Sequence, residues 1–232
     1  MKKIDCIIRK SPRKPFAVFG AIVIFCSFCG CNRSGHVEDF HAGHHHESED
    51  LRIRIIGDSV SFTNQNSFGY TEVVQLLLPE HNVSHDFDNA FGTDHVLNNL
   101  EEFTDFRNDW DIVHVNCGIW DIGSISGSYI TPPEIFRTNV RRIMAHVNTV
   151  SECQIWATIT PFLEQHELIE LFNSIIVEEA ESQGVEINDL YSLMEPLGDD
   201  FRPIKNEQID RIHWNYEGTL VLGTRVADCL VD

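Results

Sequence analysis

Two short stretches of the chain carry residue types that could perform acyl transfer. Ser59 stands in a Gly-Asp-Ser sequence directly after an apolar run, and Asp210 precedes His213 by three positions near the C-terminus. A serine hydroxyl attacks an ester when a histidine takes its proton, and a carboxylate can hold that histidine in the required tautomer. Taken alone, Ser59 is as well explained as a helix cap, and Asp-x-x-His is common in surface loops. The elements that position these residues must therefore decide between the two interpretations.

From residue 51 the chain alternates apolar strands with amphipathic helices. Strands are predicted over 51–56, 82–87, 111–116, 153–160 and 185–189, helices over 69–79, 93–103, 163–182 and 216–231, and a polar loop over 197–214. A further helix starts where Thr131 can cap, Pro132 occupies the first turn and Glu134 completes a capping box. This alternation predicts an α/β fold, a three-layer α/β/α sandwich around a mainly parallel five-stranded sheet.

Ligands of such sheets bind beyond the carboxyl ends of the strands. Ser59, Gly92 and Asn116 all fall just after predicted strands or in the loop that follows, and His213 immediately precedes the last helix. Ser59 is expected to open a helix, whose N-terminal amides favour developing negative charge. A base carried by the late loop then lies at the same edge of the sheet as Ser59.

Four motifs, in this order, resemble those of SGNH (GDSL-type) hydrolases over about residues 51–230. They are "IIGDSVSF", "NAFGTDHVLNNLEEF", "WDIVHVNCGIWDIG" and "DRIHWNYEG", with Val60 where leucine is typical. The third motif is similar to that of a subgroup that carries N-x-G-x-[HW]-D. The resemblance implies a flavodoxin-like SGNH fold and a serine esterase that works through an acyl-enzyme, with no metal or other cofactor.

The resemblance also assigns roles to the motif residues. Ser59 is the nucleophile, His213 is the general base, and Asp210 orients the imidazole ring of His213. The backbone amides of Ser59 and Gly92, together with the side chain of Asn116, form the oxyanion hole. These assignments describe a Ser-His-Asp catalytic triad.

One departure from the family pattern concerns the third motif. Most of the family reads G-x-N-D, and that alignment places Trp120 where the oxyanion asparagine belongs, so the available amide is Asn116, two residues before Gly118. A structural asparagine at the strand end is the alternative. Trp120 either walls the substrate pocket or fills core, and Asp121 orders its loop. Asp58 is expected to stabilise the turn and is a second candidate for the pocket.

The N-terminus is typical of an export signal. Residues 1–31 run from a basic start into an apolar stretch shorter than a membrane-spanning helix needs. The sequence Phe28-Cys29-Gly30-Cys31 resembles a bacterial lipobox, which predicts a lipoprotein signal with Cys31 lipidated; plain secretion and an uncleaved anchor are the alternatives. Residues 32–50 form a His- and acid-rich flexible tether, for which adventitious zinc or nickel binding stays open. Residues 51–232 form the hydrolase domain.

Charge and cysteine content narrow the possible partners. The formal net charge is −19, and residues 51–232 hold 10 Lys/Arg against 30 Asp/Glu, which disfavours binding to nucleic acid or to anionic lipid. Membrane contact is expected only through the lipid anchor, in the cell envelope or periplasm, and the oligomeric state is left open.

Three widely spaced cysteines in the body, Cys117, Cys153 and Cys229, are expected to be buried small hydrophobic residues.

The expected function is hydrolysis of short acyl esters, O-acetyl groups on carbohydrates above all, with a small-molecule or polysaccharide ester as substrate. Lipid esters are the main alternative substrate. A glycan O-acetyltransferase could use the same residues, because water and a sugar hydroxyl differ only as the second acceptor. A catalytically inactive carbohydrate-binding protein is a further alternative. A flavodoxin-like redox module is disfavoured, since no glycine-rich phosphate loop follows the first strand.

Overall fold

A computed structural model of the chain describes residues 50–63, 68–85, 89–123, 131–162, 165–205 and 207–231. The predicted signal peptide and the tether up to residue 49 lie outside these ranges, as do residues 124–130. No helix within the described ranges is both long and apolar enough to cross a bilayer.

The centre of the fold is a five-stranded sheet. Its strands are β1 Arg52–Gly57, β2 Asn82–His85, β3 Trp110–Asn116, β4 Ser151–Ala157 and β5 Glu186–Asn188. They lie in the order β2-β1-β3-β4-β5, and all neighbouring strands run parallel. Side chains on both faces of β1 and β3 are buried, as expected for a sheet covered on both sides. The predicted α/β sandwich is confirmed, with a sheet that is wholly parallel in the described part of the chain.

Helices connect and cover these strands. They are α1 Thr71–Leu77, α2 Thr93–Asn98, α3 Leu100–Phe103, α4 Ile119–Ile122, α5 Pro133–Val150, α6 His166–Gln183, α7 Leu190–Met194 and α8 Tyr216–Val231. The connection from β1 to β2 runs one way across the sheet, and the connections from β2 to β3, β4 and β5 run the other way. Right-handed crossovers in opposite directions place their helices on opposite faces of the sheet. Accordingly α1 packs on α8, while α5 packs on both α2 and α6.

The polar loop before α8 has local structure of its own. It contains two short 3₁₀ turns, Glu195–Leu197 and Asp199–Phe201, and a small antiparallel hairpin of β6 Ile204–Lys205 with β7 Gln208–Ile209. The loop returns to the body of the fold at Asn215, whose backbone N–H donates to the carbonyl oxygen of Phe201 at 2.8 Å. The segment that carries the Asp-x-x-His pair is therefore folded back on itself.

Two predicted helices differ from the structure. The helix expected over 93–103 breaks at Asn99, where the backbone leaves helical geometry and the side-chain amide donates to the carbonyl oxygen of His95 at 2.9 Å. Such a local side-chain bond competes with the helical ladder. The capping box at Thr131 is wrong: Pro132 is the cap residue and no side chain caps α5. The backbone N–H of Thr131 donates instead to the carbonyl oxygen of Asp121 at 2.8 Å, which ties Thr131 to the preceding loop.

Of the three cysteines expected to be buried, only one is. Cys117 is fully buried, whereas Cys153 and Cys229 are partly exposed, and none of the three is in a disulfide. Cys153 lies near the start of β4 and Cys229 near the end of α8, where packing is less complete. The expected burial of Cys153 and Cys229 is therefore wrong.

The strand order reverses at β1, between β2 and β3. In open parallel sheets this point leaves a crevice beyond the carboxyl ends of the strands, and ligands bind there. Ser59 comes two residues after β1, and Asn116 is the last residue of β3. The topology thus brings two of the sequence-predicted site residues to the crevice.

Candidate active site

A tight turn directly after β1 carries Ser59. The carboxylate of Asp58 accepts a hydrogen bond from the backbone N–H of Val60 at 3.0 Å, and the Asp58 carbonyl oxygen accepts one from Ser61 at 3.0 Å. The N–H of Asp58 donates to the carbonyl oxygen of Asn116 at 3.0 Å, which fastens the turn to β3. This Asx-type turn replaces the helix expected to open at Ser59, since α1 begins only at Thr71. Ser59 is therefore not a helix cap.

The carboxyl of Asp58 supports the Ser59 turn from inside the fold. Its side chain is buried, and burial raises the pKa of Asp58 to about 7 although the Val60 N–H works in the opposite direction. The turn-stabilising role expected of Asp58 agrees with these contacts. Its place in the pocket stays a prediction.

The loop before α8 holds an aspartate and a histidine in one local motif. One carboxylate oxygen of Asp210, Oδ1, accepts hydrogen bonds from the backbone N–H groups of Ile212 at 3.0 Å and His213 at 2.9 Å. The other oxygen, Oδ2, lies 3.0 Å from Nδ1 of His213. Two backbone bonds therefore fix the Asp210 carboxylate so that its second oxygen faces the imidazole ring.

The same imidazole meets Ser59. Nε2 of His213 lies 3.0 Å from Oγ of Ser59, although the two residues are 154 positions apart in the chain. The side chain of His213 is 22% exposed and that of Asp210 only 9%. Neutral imidazole with its proton on Nδ1 would donate to Asp210 and accept the Ser59 proton at Nε2. The structure thus brings Ser59, His213 and Asp210 together in hydrogen-bond order.

A buried arginine holds the histidine loop in place. The Arg202 guanidinium donates to the carbonyl oxygens of Ile212 at 2.7 Å, of His213 at 3.2 Å and of Pro161. It also lies over the ring of Trp214 at 3.4 Å from the centroid. Burial lowers the pKa of Arg202 to about 10, so this side chain remains charged at neutral pH. Sequence reasoning missed this residue, because an arginine in a polar loop gives no sign that it is buried.

Gly92 follows β2 and starts α2. Within the part of the chain that the structure describes, no protein acceptor pairs with the backbone N–H of Gly92 or with that of Ser59. Asp121 holds the next residue: its carboxylate oxygens accept from the N–H of Thr93 at 2.8 Å and from its hydroxyl at 2.7 Å. A Cβ on Gly92 would lie 3.2 Å from that carboxylate, so the chain passes close to Asp121 here. The expected loop-ordering role of Asp121 agrees with these contacts.

Asn116 is buried at the end of β3, and its amide is engaged. Nδ2 donates to Oγ of Ser61 at 2.9 Å, and that hydroxyl in turn donates to the hydroxyl of Tyr70 at 3.0 Å. This bond uses one of the two N–H groups that an asparagine amide carries. Neither Ser61 nor Tyr70 was predicted as a site residue. The only signal in the sequence is that Ser61 lies two residues after Ser59.

An aromatic pair flanks Gly92. The rings of Phe91 and Trp120 meet edge to face with centroids 5.2 Å apart, and both side chains are partly buried. Trp120 packs against the hydrophobic core on one side. Phe91 has a φ of 48°, a strained conformation for a residue of its size, and strain of this kind tends to cluster at functional sites. Trp120 therefore packs against the core and also borders the Gly92 turn, and its place in a pocket wall stays a prediction.

The arrangement provides what acyl transfer from an ester needs. It contains a hydroxyl in contact with an imidazole, a carboxylate on the far side of that ring, and two backbone N–H groups that have no protein acceptor among the described residues. Among the described residues, no group of three or more His, Cys, Asp or Glu side chains is placed to hold a metal ion.

Comparison with known proteins finds relatives by structure only. The chain matches no protein-family model, and no curated protein sequence is similar to it. Its structure is similar to that of the acetyl xylan esterase AlAXEase, with 14% sequence identity, a TM-score of 0.63, and coverage of 78% of this chain and 100% of that one. It is similar at 16% identity and TM-score 0.60 to LAE5, an alpha/beta hydrolase from the metagenome of Lake Arreo, Spain, covering 78% and 97% of the two chains.

A third similar structure is Axe2, an acetylxylan esterase from Geobacillus stearothermophilus, with 14% identity, a TM-score of 0.63, and coverage of 78% and 94% of the two chains. Two further structures of Axe2 are of catalytic mutants, in which an aspartate and, three positions later, a histidine are each replaced by alanine. At these identities the similarity establishes a shared fold.

Proposed function

We propose that this protein is an SGNH-type serine esterase that hydrolyses short acyl esters, O-acetyl groups on carbohydrates in particular. The observation that carries the proposal is the contact of Ser59 Oγ with His213 Nε2 at 3.0 Å, continued by His213 Nδ1 to Asp210 Oδ2 at 3.0 Å. Residues from opposite ends of the domain meet in the order that nucleophilic catalysis requires.

In the first half of the reaction, Oγ of Ser59 attacks the ester carbonyl carbon while Nε2 of His213 takes the hydroxyl proton. Asp210 holds the ring and stabilises the imidazolium that forms. The carbonyl oxygen becomes an oxyanion, and the N–H groups of Ser59 and Gly92 donate to it. The C–O bond to the alcohol then breaks, His213 gives its proton to the leaving oxygen, and the acyl group remains on Ser59.

In the second half, His213 takes a proton from water, and the hydroxide oxygen attacks the acyl carbon. The bond from carbon to Ser59 Oγ breaks, His213 returns the proton to Ser59, and the carboxylic acid leaves. The second N–H of Asn116 is proposed as the third oxyanion donor. Trp120 is proposed as part of the wall that receives the acyl group or the sugar.

The substrate class rests on the structural relatives. Two of the similar proteins named above are acetyl xylan esterases, and Asp210 and His213 have the same three-residue spacing as the two residues replaced in the catalytic mutants of Axe2. The acidic character of residues 51–232 fits a neutral glycan better than an anionic polymer, since like charges repel. Export to the cell envelope, with a lipid anchor at Cys31, would place the enzyme beside polymeric esters.

The test is hydrolysis of p-nitrophenyl acetate and of acetylated xylo-oligosaccharides by the purified protein, with Ser59→Ala beside it. The variant should lose at least about 1,000-fold in kcat, because nucleophile and base act as a unit. Ser151→Ala is the matched control and should leave kcat unchanged, since Ser151 begins β4 at the end of the strand away from the site and its hydroxyl donates to the carbonyl oxygen of Val147 in α5. Full activity in Ser59→Ala would contradict the proposal.

The same experiment separates the alternatives. An acyltransferase would pass acetyl groups to an added sugar acceptor faster than it releases acetate. An inactive carbohydrate-binding protein would retain oligosaccharide without hydrolysing either ester.

A further inference from the structure

A buried chain of polar side chains lies behind the candidate oxyanion donor. Asn116, Ser61 and Tyr70 are respectively 3%, 2% and 0% exposed. Nδ2 of Asn116 donates to Oγ of Ser61 at 2.9 Å, and Ser61 donates to the hydroxyl of Tyr70 at 3.0 Å. The acyl-transfer steps described above use neither Ser61 nor Tyr70. A buried hydroxyl group without a hydrogen-bond partner costs free energy, so two such groups beside a candidate catalytic amide need an explanation.

The backbone around this chain is closely fitted to it. A Cβ on Gly57 would lie only 2.2 Å from the Ser61 hydroxyl, so β1 leaves room for that side chain because position 57 is glycine. The carbonyl oxygen of Ser61 accepts from the N–H of Thr71 at 3.2 Å and from its hydroxyl at 2.8 Å. The N–H of Tyr70 donates to the carbonyl oxygen of Val60 at 3.3 Å. The start of α1 and the Ser59 turn are thus locked together, and both hydroxyls have fixed positions.

Hydrogen-bond direction gives the chain a consequence for Asn116. The Ser61 hydroxyl has one proton, and it donates that proton to Tyr70, so toward Asn116 it can only accept. The side chain of Asn116 must then present its nitrogen, and not its oxygen, to Ser61. The last torsion of asparagine is otherwise broad and nearly two-fold, so the amide could turn over in the absence of this acceptor. A turned amide would offer a carbonyl oxygen, which repels an oxyanion.

We infer that Ser61 and Tyr70 are positioning residues that fix the amide of Asn116 with its nitrogen available to the oxyanion. This inference rests on the proposed esterase function and on the donor role of Asn116. Ser61 acts on Asn116 directly, and Tyr70 acts through Ser61 by accepting the hydrogen bond of its hydroxyl. A role limited to pairing a buried tyrosine hydroxyl would affect the stability of the fold and leave transition-state stabilisation unchanged.

The experiment compares Tyr70→Phe and Ser61→Ala with wild type on p-nitrophenyl acetate. Removal of an oxyanion donor costs about 100- to 1,000-fold in kcat, and misorientation of the donor should cost part of that, about tenfold for each variant. KM should stay within about twofold, because the ground-state carbonyl gains little from the donor. Affinity for a small boronic acid, which adds to a serine hydroxyl as a tetrahedral anion, should fall in parallel with kcat.

Two controls and a double-mutant cycle complete the design. Ser151→Ala and Tyr191→Phe remove a serine and a tyrosine hydroxyl elsewhere, the latter at an exposed bond to Glu170, and should leave kcat and boronate affinity unchanged. In an Asn116→Ala background, Tyr70→Phe should cause no further loss, because the group that it positions is gone. Thermal melts of all variants separate folding losses from kinetic ones, and Tyr70→Phe keeps the shape of the buried ring.

Wild-type kcat in both variants, or an equal loss in the Asn116→Ala background, would overturn the inference and leave the esterase proposal intact. An inactive wild-type protein would overturn both.

Discussion

Asp210→Asn is the substitution that most directly probes the tautomer control proposed for the site. In the structure, Oδ1 of Asp210 accepts two backbone hydrogen bonds, from Ile212 and His213, and Oδ2 faces His213 Nδ1 at 3.0 Å. An asparagine amide has one oxygen, and the two backbone N–H groups will claim it. Its NH₂ group must then occupy the place of Oδ2, opposite Nδ1.

That exchange reverses the hydrogen bonds across the imidazole ring. An amide NH₂ only donates, so Nδ1 of His213 must accept, and the ring proton moves to Nε2. Nε2 then donates to Ser59 and cannot take its proton. The equivalent change in a serine protease triad lowers kcat by about 10⁴-fold, or about 5 kcal/mol in activation free energy. Stability should change little, because both backbone bonds survive.

The assay is steady-state hydrolysis of p-nitrophenyl acetate at neutral and alkaline pH, with a thermal melt of each variant. Asp189→Asn is the matched control, since Oδ1 of Asp189 likewise accepts a backbone N–H, from Ser192 at 3.1 Å, but at the start of α7. The control should keep wild-type kcat. A folded Asp210→Asn protein with more than about a tenth of wild-type kcat would refute the tautomer reasoning.

Two further predictions concern buried ionic groups. Arg202→Lys keeps the positive charge but removes the planar guanidinium that donates to three carbonyl oxygens, so kcat/KM for acetyl esters should fall about tenfold. An unchanged kcat/KM would show that the loop carrying His213 keeps its position without the guanidinium. Glu179→Gln removes a carboxylate whose pKa is lowered by hydrogen bonds from Arg141 and Arg137, and should cost about 1 kcal/mol at neutral pH. A lowered carboxyl pKa stabilises the fold above the unfolded-state value, and that stabilisation is lost as pH falls through the folded-state pKa. The free energies of unfolding of Glu179→Gln and wild type, measured in urea, should therefore differ less at pH values below the ordinary pKa of 4.5. A difference that stays constant with pH would contradict the ion-pair account.

Much of the fold could be predicted from the sequence, because hydrophobic periodicity depends on neighbours along the chain. The apolar runs that became β1 and β3 were found within one residue of their observed ends, and the start of α5 was found within two residues. Boundaries failed where a single polar side chain or backbone group decided them. Asn99 broke a predicted helix, and the contact of Thr131 with Asp121 replaced a predicted cap.

The motif residues of the candidate site could be predicted from the sequence, whereas the residues that hold them in place could not. Ser59, Gly92, Asp210 and His213 stand in motifs, and the topology of a parallel sheet indicates where such motifs meet. Arg202 is different in kind, because its carbonyl partners lie 10, 11 and 41 positions away in the chain. The burial of a polar side chain depends on such distant partners, and no local pattern records them.

The central claim is that Ser59 becomes covalently acylated during turnover. Rapid acid quenching of the protein with p-nitrophenyl acetate, followed by peptide mass spectrometry, tests it most directly. The account predicts one acetyl group on the peptide that contains Ser59, and none on that peptide in Ser59→Ala or in His213→Ala. Turnover with no acetyl group on Ser59, or with the acetyl group on another residue, would contradict it.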